Sequence, residues 1–280
     1  MRANFYELAE ACLFAPTVED KLAATDRAAL AVEAGSLVFD AAEPPRPATA
    51  VRFPEHPKLV EPRDLPRRGL HTDAGRAAFL HALAHIEFTA IQLAWDAAYR
   101  FREMPEEFRY DWLRVAIEEA KHFRALNQRL ADFGAAYGDC SAHRGLWDLA
   151  ESTAGDVLAR MALVPRFMEA RGLDVSPGMI AKLEQLGDAA SVEILRMILR
   201  EEIGHVAFGT RWFRYVCDQR GLEPEAAYFD LVRRHVRGAV RGPFNLEARR
   251  VAGFSEAELA RLEALEGEGN RPARQGASGP

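Results

Sequence analysis

The chain has 280 residues, enough for one large domain or two small ones with a sizeable core, and its 49% apolar and 28% charged residues are an ordinary globular composition. A net charge of −6 speaks against a polyanionic partner such as nucleic acid. Cys12, Cys140 and Cys217 are far apart, odd in number and form no C-x-x-C pair, which argues against a disulfide framework and a thiolate metal site.

The N-terminus, MRANFYELAEACLFA, carries acidic residues through its apolar stretch, unlike a secretory signal. No uninterrupted apolar run reaches the roughly 18 residues that a membrane span needs. These features predict a cytoplasmic protein with no membrane partner. Residues 4–14 and 17–34 read as two short amphipathic helices, the second capped by Thr17 with Asp20 at the capping-box position. Seven of the 15 prolines then fall between Pro44 and Pro66, which predicts an extended arm over the body.

From Thr72 apolar residues recur at helical spacing. Long helices are expected from Thr72 to the break at MPEEF, over 108–133, over 147–171 with stops at Gly172 and Pro177, and over 188–220. A fifth, near 224–238, precedes the turn RGPFN at 241–245. The tail GNRPARQGASGP reads as disordered. No segment alternates as a strand does. The chain is therefore expected to be all-α. A four-helix bundle over 71–254, of the ferritin-like kind, would carry the N-terminal helices and arm of 1–70. An extra C-terminal helix and tail would fill 255–280.

EEAKH at 118–122 and REEIGH at 200–205 each hold Glu-x-x-His. Glu119 and His122 share a row with Trp112, Val115 and Leu126; Glu202 and His205 share one with Leu195, Ile198 and Gly209. Both pairs thus sit on apolar stripes. Glu118, in register with Asp111, Arg114 and Lys121, reads as solvated; Glu201 is ambiguous, with Ile194 and Met197 below it. Glu87 is centred on the row Leu80, Leu83, Ala90, Ala94. His81, His85 and Gln92 lie opposite and are read as outward, the two histidines as surface or subunit-contact residues. Glu169 shares its row with Leu158, Ala162 and Pro165, with Glu151 or Asp156 as substitutes if that helix is rotated.

Buried unpaired carboxylates are costly, and bound cations would relieve them. Glu87 to Glu119 is 32 residues and Glu169 to Glu202 is 33, so each half reads Glu, hairpin, Glu-x-x-His. One Glu from each of two helices and Glu-x-x-His from two others is the ligand set of di-iron and di-manganese bundles. Four carboxylates balance two divalent ions, and the mixture of imidazole and carboxylate suits iron, or manganese, better than magnesium or zinc.

The six residues resemble those of ferritin-like di-iron carboxylate proteins. HIEFTAIQLAWDA, WLRVAIEEAKHF, YGDCSAH, RMALVPRFMEARGLDVSP, EEIGHVAFGTRWF and RGPFNLEARRVAGF resemble the family catalogued as domain of unknown function 455, over about residues 80–254. The resemblance implies a ferritin-like fold and a two-metal site of Glu87, Glu119, His122, Glu169, Glu202 and His205, without naming a reaction. That family often has an acid where Gln92 stands. The leading expectation is an oxidoreductase that activates dioxygen toward a small organic substrate. Iron handling, hydroxylation of transfer RNA and a non-catalytic helical protein, its acids paired with arginines such as Arg160 or Arg166, stand as alternatives. A homodimer is compatible with the sequence. Arg233, Arg234, Arg237 and Arg241 read as a solvated or locally paired run before an anion site. His143 reads as a turn or packing residue, and Trp95, Tyr99 and Tyr137 as packing before electron relay.

Overall fold

The computed structural model describes residues 2–40, 43–65, 69–236 and 242–269. The tail from residue 270, together with Arg237 and Arg241, lies outside them. The protein is all-α. Its helices are α1 (Phe5–Leu13), α2 (Val18–Glu33), α3 (Asp73–Arg100), α4 (Glu106–Ala131), α5 (Gly145–Ser152), α6 (Val157–Leu163), α7 (Ala170–Gln185), α8 (Ala189–Gln219), α9 (Pro224–His235), α10 (Leu246–Val251) and α11 (Glu256–Gly269). A π-helical segment, Val164–Glu169, joins α6 to α7. Two two-residue strands, β1 (Ala3–Asn4) and β2 (Leu37–Val38), pair in parallel and tie down the N-terminus.

Local chemistry sets the ends of these elements. Thr17 Oγ1 accepts from Asp20 N at 3.1 Å and donates to Asp20 Oδ2 at 2.7 Å, opening α2. Thr72 caps α3 by accepting from Gly75 N at 3.1 Å. Four rods make the body: α3 against α4, α8 against α4, and the broken rod α6–π–α7 against α8. Of the N-terminal helices, α1 lies on α3 and α2 on α4; Phe5 packs on Trp95, and Trp95 Nε1 donates to Thr25 Oγ1 at 3.0 Å. The described part of the arm is irregular apart from two short 3-10 turns, Ala48–Ala50 and Pro62–Asp64. Val60 N donates to Ala142 O at 2.8 Å, and Phe53 stands edge-on to Trp147.

By length and composition α3 could cross a membrane, but 72% of its most apolar 18-residue window is buried inside the protein. Its apolarity serves packing on several sides at once.

The third rod departs from the single helix expected over 147–171. It is cut at 153–156 and wound as a π-helix around Pro165, whose ring and missing N–H cannot fit a regular α turn. Gly209 of α8 faces that proline. A Cβ there would stand 2.4 Å from Pro165 Cβ, so a glycine lets the two rods meet. Neither Gly172 nor Pro177 ends the rod; α7 runs on to Gln185. The carbonyl that Pro177 leaves without its helical donor, Leu173 O, accepts from Asn245 Nδ2 at 3.2 Å, and Gly172 O accepts from Ser176 Oγ at 2.8 Å.

Three buried arginines are matched within the core. Asp96, fully buried, takes Arg160 Nη1 at 2.7 Å and Arg100 Nε at 3.1 Å. Burial opposes its ionisation, but Arg160 and Arg100 outweigh that and hold its carboxyl below the usual range. Arg166 pairs with Glu258 at 2.7 Å beneath the rings of Phe213, Tyr228 and Phe254, and Arg249 pairs with Asp174 at 2.7 Å. Replacing Asp96→Ala would strand the Arg160 guanidinium, and we expect a loss of about 3–5 kcal/mol in urea unfolding. A loss within experimental error would show that this pair does not hold α3 to α6.

Candidate metal centre

Side chains from α3, α4 and α8 meet in the middle of the bundle. Glu87, Glu119 and His122 are buried, and Glu202 is half-buried. One donor atom from each lies within 4.8 Å of all the others, a cluster able to hold a metal ion. His122 Nδ1 stands 3.1 Å from Glu87 Oε2, 3.4 Å from Glu119 Oε2 and 3.8 Å from Glu202 Oε1. His205, fully buried, repeats the pattern from α8, its Nδ1 lying 3.0 Å from Glu119 Oε1 and 3.3 Å from Glu202 Oε1. The two oxygens of Glu119 therefore face different histidines. The histidine rings are 5.8 Å apart.

Glu169 enters at the end of the π-helical segment. It lines the same cavity as Glu87, Glu119 and Glu202. Burial, then the charges of Glu202 and Glu119, raise its pKa well above the carboxylate range. Its proposed substitutes point elsewhere. Glu151 takes Trp147 Nε1 and Arg144, and Asp156 caps α6 and pairs with Arg220.

Several polar atoms here have no hydrogen-bond partner: Glu119 Oε1 and Oε2, Glu169 Oε2 and His205 Nδ1. His205 Nδ1 is close to Glu119 without being aligned with it, as when lone pairs aim at a common point between them. Among the described residues, Glu87, Glu119 and Glu202 form their ion pairs with the two histidines and with no lysine or arginine. Arg160 and Arg166 are committed to Asp96 and Glu258, which removes the pairing that a purely structural role for these acids requires. The donor set fits a cation with mixed oxygen and nitrogen ligands.

Without a cation, protons would have to neutralise the cluster. Burial, then the charge of Glu119, pushes Glu87 up to about 8. Burial alone would lower His122, but Glu119 and Glu87 outweigh it and raise it to about 11. His205 is raised well above its usual value against the same penalty, chiefly by Glu202.

The residue before each Glu-x-x-His completes the arrangement. His205 Nε2 donates to Glu118 Oε2 at 2.8 Å, and His122 Nε2 donates to Glu201 Oε2 at 2.8 Å. Each motif's leading glutamate thus holds the other motif's histidine, turning its Nδ1 inward. Burial works against ionisation of Glu118, but His205 and Arg114 hold it at about 2. Glu201 is lowered in the same way by Lys121 and His122. Glu118 is therefore no free surface acid, contrary to the helical-row reading. The repeated doublet in Glu-Glu-x-x-His was the available signal.

Three other outward readings are also corrected. His81, His85 and Gln92 are all buried, because α3 has neighbours on the side away from α4 as well. His85 Nε2 donates to His143 O at 3.0 Å, so its Nδ1 accepts from Tyr137 OH at 2.9 Å. Burial lowers His85 to about 4, which keeps the ring neutral. His81 stacks on Tyr137 and its Nε2 accepts from Gly138 N at 3.0 Å. Gln92 is fully buried, with neither side-chain polar atom hydrogen-bonded. Arg233 and Arg234 pair with Asp230, as a local run should.

A family model described as "Protein of unknown function (DUF455)" matches residues 14–260. An uncharacterized protein of Haemophilus influenzae is 48% identical over 214 residues, which covers 74% of this chain and 74% of that protein. No solved structure matches.

If Glu118 orients His205 for a metal, Glu118→Ala will weaken divalent-ion binding by about 10–100-fold, read by competition with a chelating dye. Glu193→Ala, on an exposed acid, will leave it unchanged. Equal affinities in all three proteins would reduce Glu118 to a surface ion pair.

Proposed function

This chain belongs to the DUF455 family, and from that premise we propose that its convergent side chains hold two metal ions, iron or else manganese, for an oxidoreductase that activates dioxygen toward an organic substrate. The single observation that carries this reading is the divided approach to Glu119, with His122, itself 3.1 Å from Glu87, beside one of its oxygens and His205 beside the other. In this reading Glu87, Glu119, His122, Glu169, Glu202 and His205 would hold the ions. The ligand pattern and the four-rod body resemble those of ferritin-like di-iron carboxylate proteins, which supports the reading.

Such a pair of ferrous ions, when bound, supplies the electrons that reduce dioxygen. The chain's own residues do the remaining work. Glu118 and Glu201 fix the histidine tautomers, so that Nδ1 keeps a lone pair for the metal. The apolar walls beside the carboxylates keep their surroundings low in polarity. A cavity walled in this way favours an organic substrate over ion storage, which needs a polar route.

Two measurements test the reading. Glu87, Glu169, His122 and His205 all have pKa values raised above their ordinary range, to about 8 and about 11 where Glu87 and His122 are concerned. Incoming cations must displace the protons that these raised pKa values favour. Metal loading should then release protons into a weakly buffered indicator, and affinity should fall as pH falls. Release near zero would contradict the coordination assigned to these groups. In anaerobic titration ferrous iron should saturate at about two per chain, and admitting air should cause metal-dependent oxygen uptake. Saturation far below two, or no uptake, would reject a di-iron oxidoreductase.

A further inference from the structure

The acids of the centre form one end of a cavity of about 310 Å3 between α3, the π–α7 rod and α8. Its other walls include Leu83, Ile86, Ala90, Met179, Leu195 and Ile198. Ile86 and Met168 are exposed at its edge and Val175 is half-buried, so the space reaches the surface. Beyond the acids, only His143, Arg171 and Ser176 among its lining residues are polar or charged. Each is turned to neighbouring protein groups. Ser176 Oγ donates to Gly172 O, Arg171 donates to Pro243 O at 3.0 Å and lies 3.8 Å from Asp174, and His143 Nδ1 accepts from Gly145 N at 3.1 Å.

We infer that this cavity, at the lower end of the size range of small-molecule pockets, binds a small, neutral, largely hydrocarbon molecule. The inference rests on the proposed dimetal reading and adds the chemical class of its substrate. A polar ligand would find few uncommitted partners on the walls. An anionic head would find the four carboxylates already balancing two divalent ions and the one wall guanidinium, Arg171, engaged by Pro243 O and Asp174, so its desolvation has little return. A hydrocarbon body covers the apolar walls and carries an unactivated C–H bond to the only chemically competent end of the space. The unpartnered oxygens of Glu119 and Glu169 mark that end as the one where a ligand and a cation would meet.

Equilibrium dialysis of the metal-loaded full chain against n-octanol and, separately, sodium octanoate tests the inference. Octanol should bind at one per chain, and octanoate, of equal chain length, should bind about tenfold more weakly or worse. Val175→Trp and, independently, Met179→Phe, at half-buried wall positions, should each abolish octanol binding while metal content stays at the wild-type value. Octanol failing to bind, octanoate binding as well, or octanol surviving both substitutions would overturn the inference. The two claims fail separately: a chain that takes up metal but ignores octanol refutes the pocket, and one that binds octanol but takes up no metal refutes the dimetal reading beneath it.

Discussion

Carboxylates drawn into a closed interior cannot keep their charge unless something positive shares the space, and the centre of this bundle is organised around that constraint. Arginine solves the problem elsewhere in the same core, where Asp96, Asp174 and Glu258 each have a guanidinium at 2.7 Å. Glu87, Glu119, Glu169 and Glu202 are arranged differently. They face two imidazole nitrogens and one another, with oxygens left unpartnered. A protein that pairs its structural acids so thoroughly leaves here a cluster that could hold a cation.

The crossing of the two Glu-Glu-x-x-His motifs gives the centre its internal symmetry. Glu118 of α4 holds His205 of α8, and Glu201 of α8 holds His122 of α4. Neither histidine can be aimed by its own helix alone, so α4 and α8 must pack in register before the site exists. The π-helical segment plays the matching part on the third rod. It absorbs Pro165 against Gly209 and delivers Glu169 into the cavity shared with the other acids. The Pro-rich arm and the α4–α5 connection close the far side of α3 through backbone bonds at Val60 and Ala142.

Much of this was legible in the sequence, because helical periodicity reports a buried face reliably when one face is buried. The long helices α3, α4 and α8, the Thr17 and Thr72 caps, the Pro-rich arm and the convergence of Glu87, Glu119, His122, Glu202 and His205 all follow from apolar rows and spacing. The same reasoning failed where a helix has more than one packed side. His81, His85 and Gln92 lie opposite Glu87 on α3 and are buried nonetheless, the two histidines against Tyr137 and the 138–147 connection. Glu118 sits beside Arg114 and Lys121, and nothing in its row reveals a histidine approaching from α8. Pro177 reads as a stop only until Asn245, 68 positions later in the chain, supplies the donor that the freed carbonyl needs. Each miss concerns a partner distant in sequence.

Anomalous scattering from crystals grown with manganese or iron tests the central claim most directly. Two peaks are expected about 3.5–4 Å apart among Glu87, Glu119, His122, Glu169, Glu202 and His205. Absence of anomalous density among these six side chains, with the carboxylates turned to solvent or to basic residues, would contradict the account.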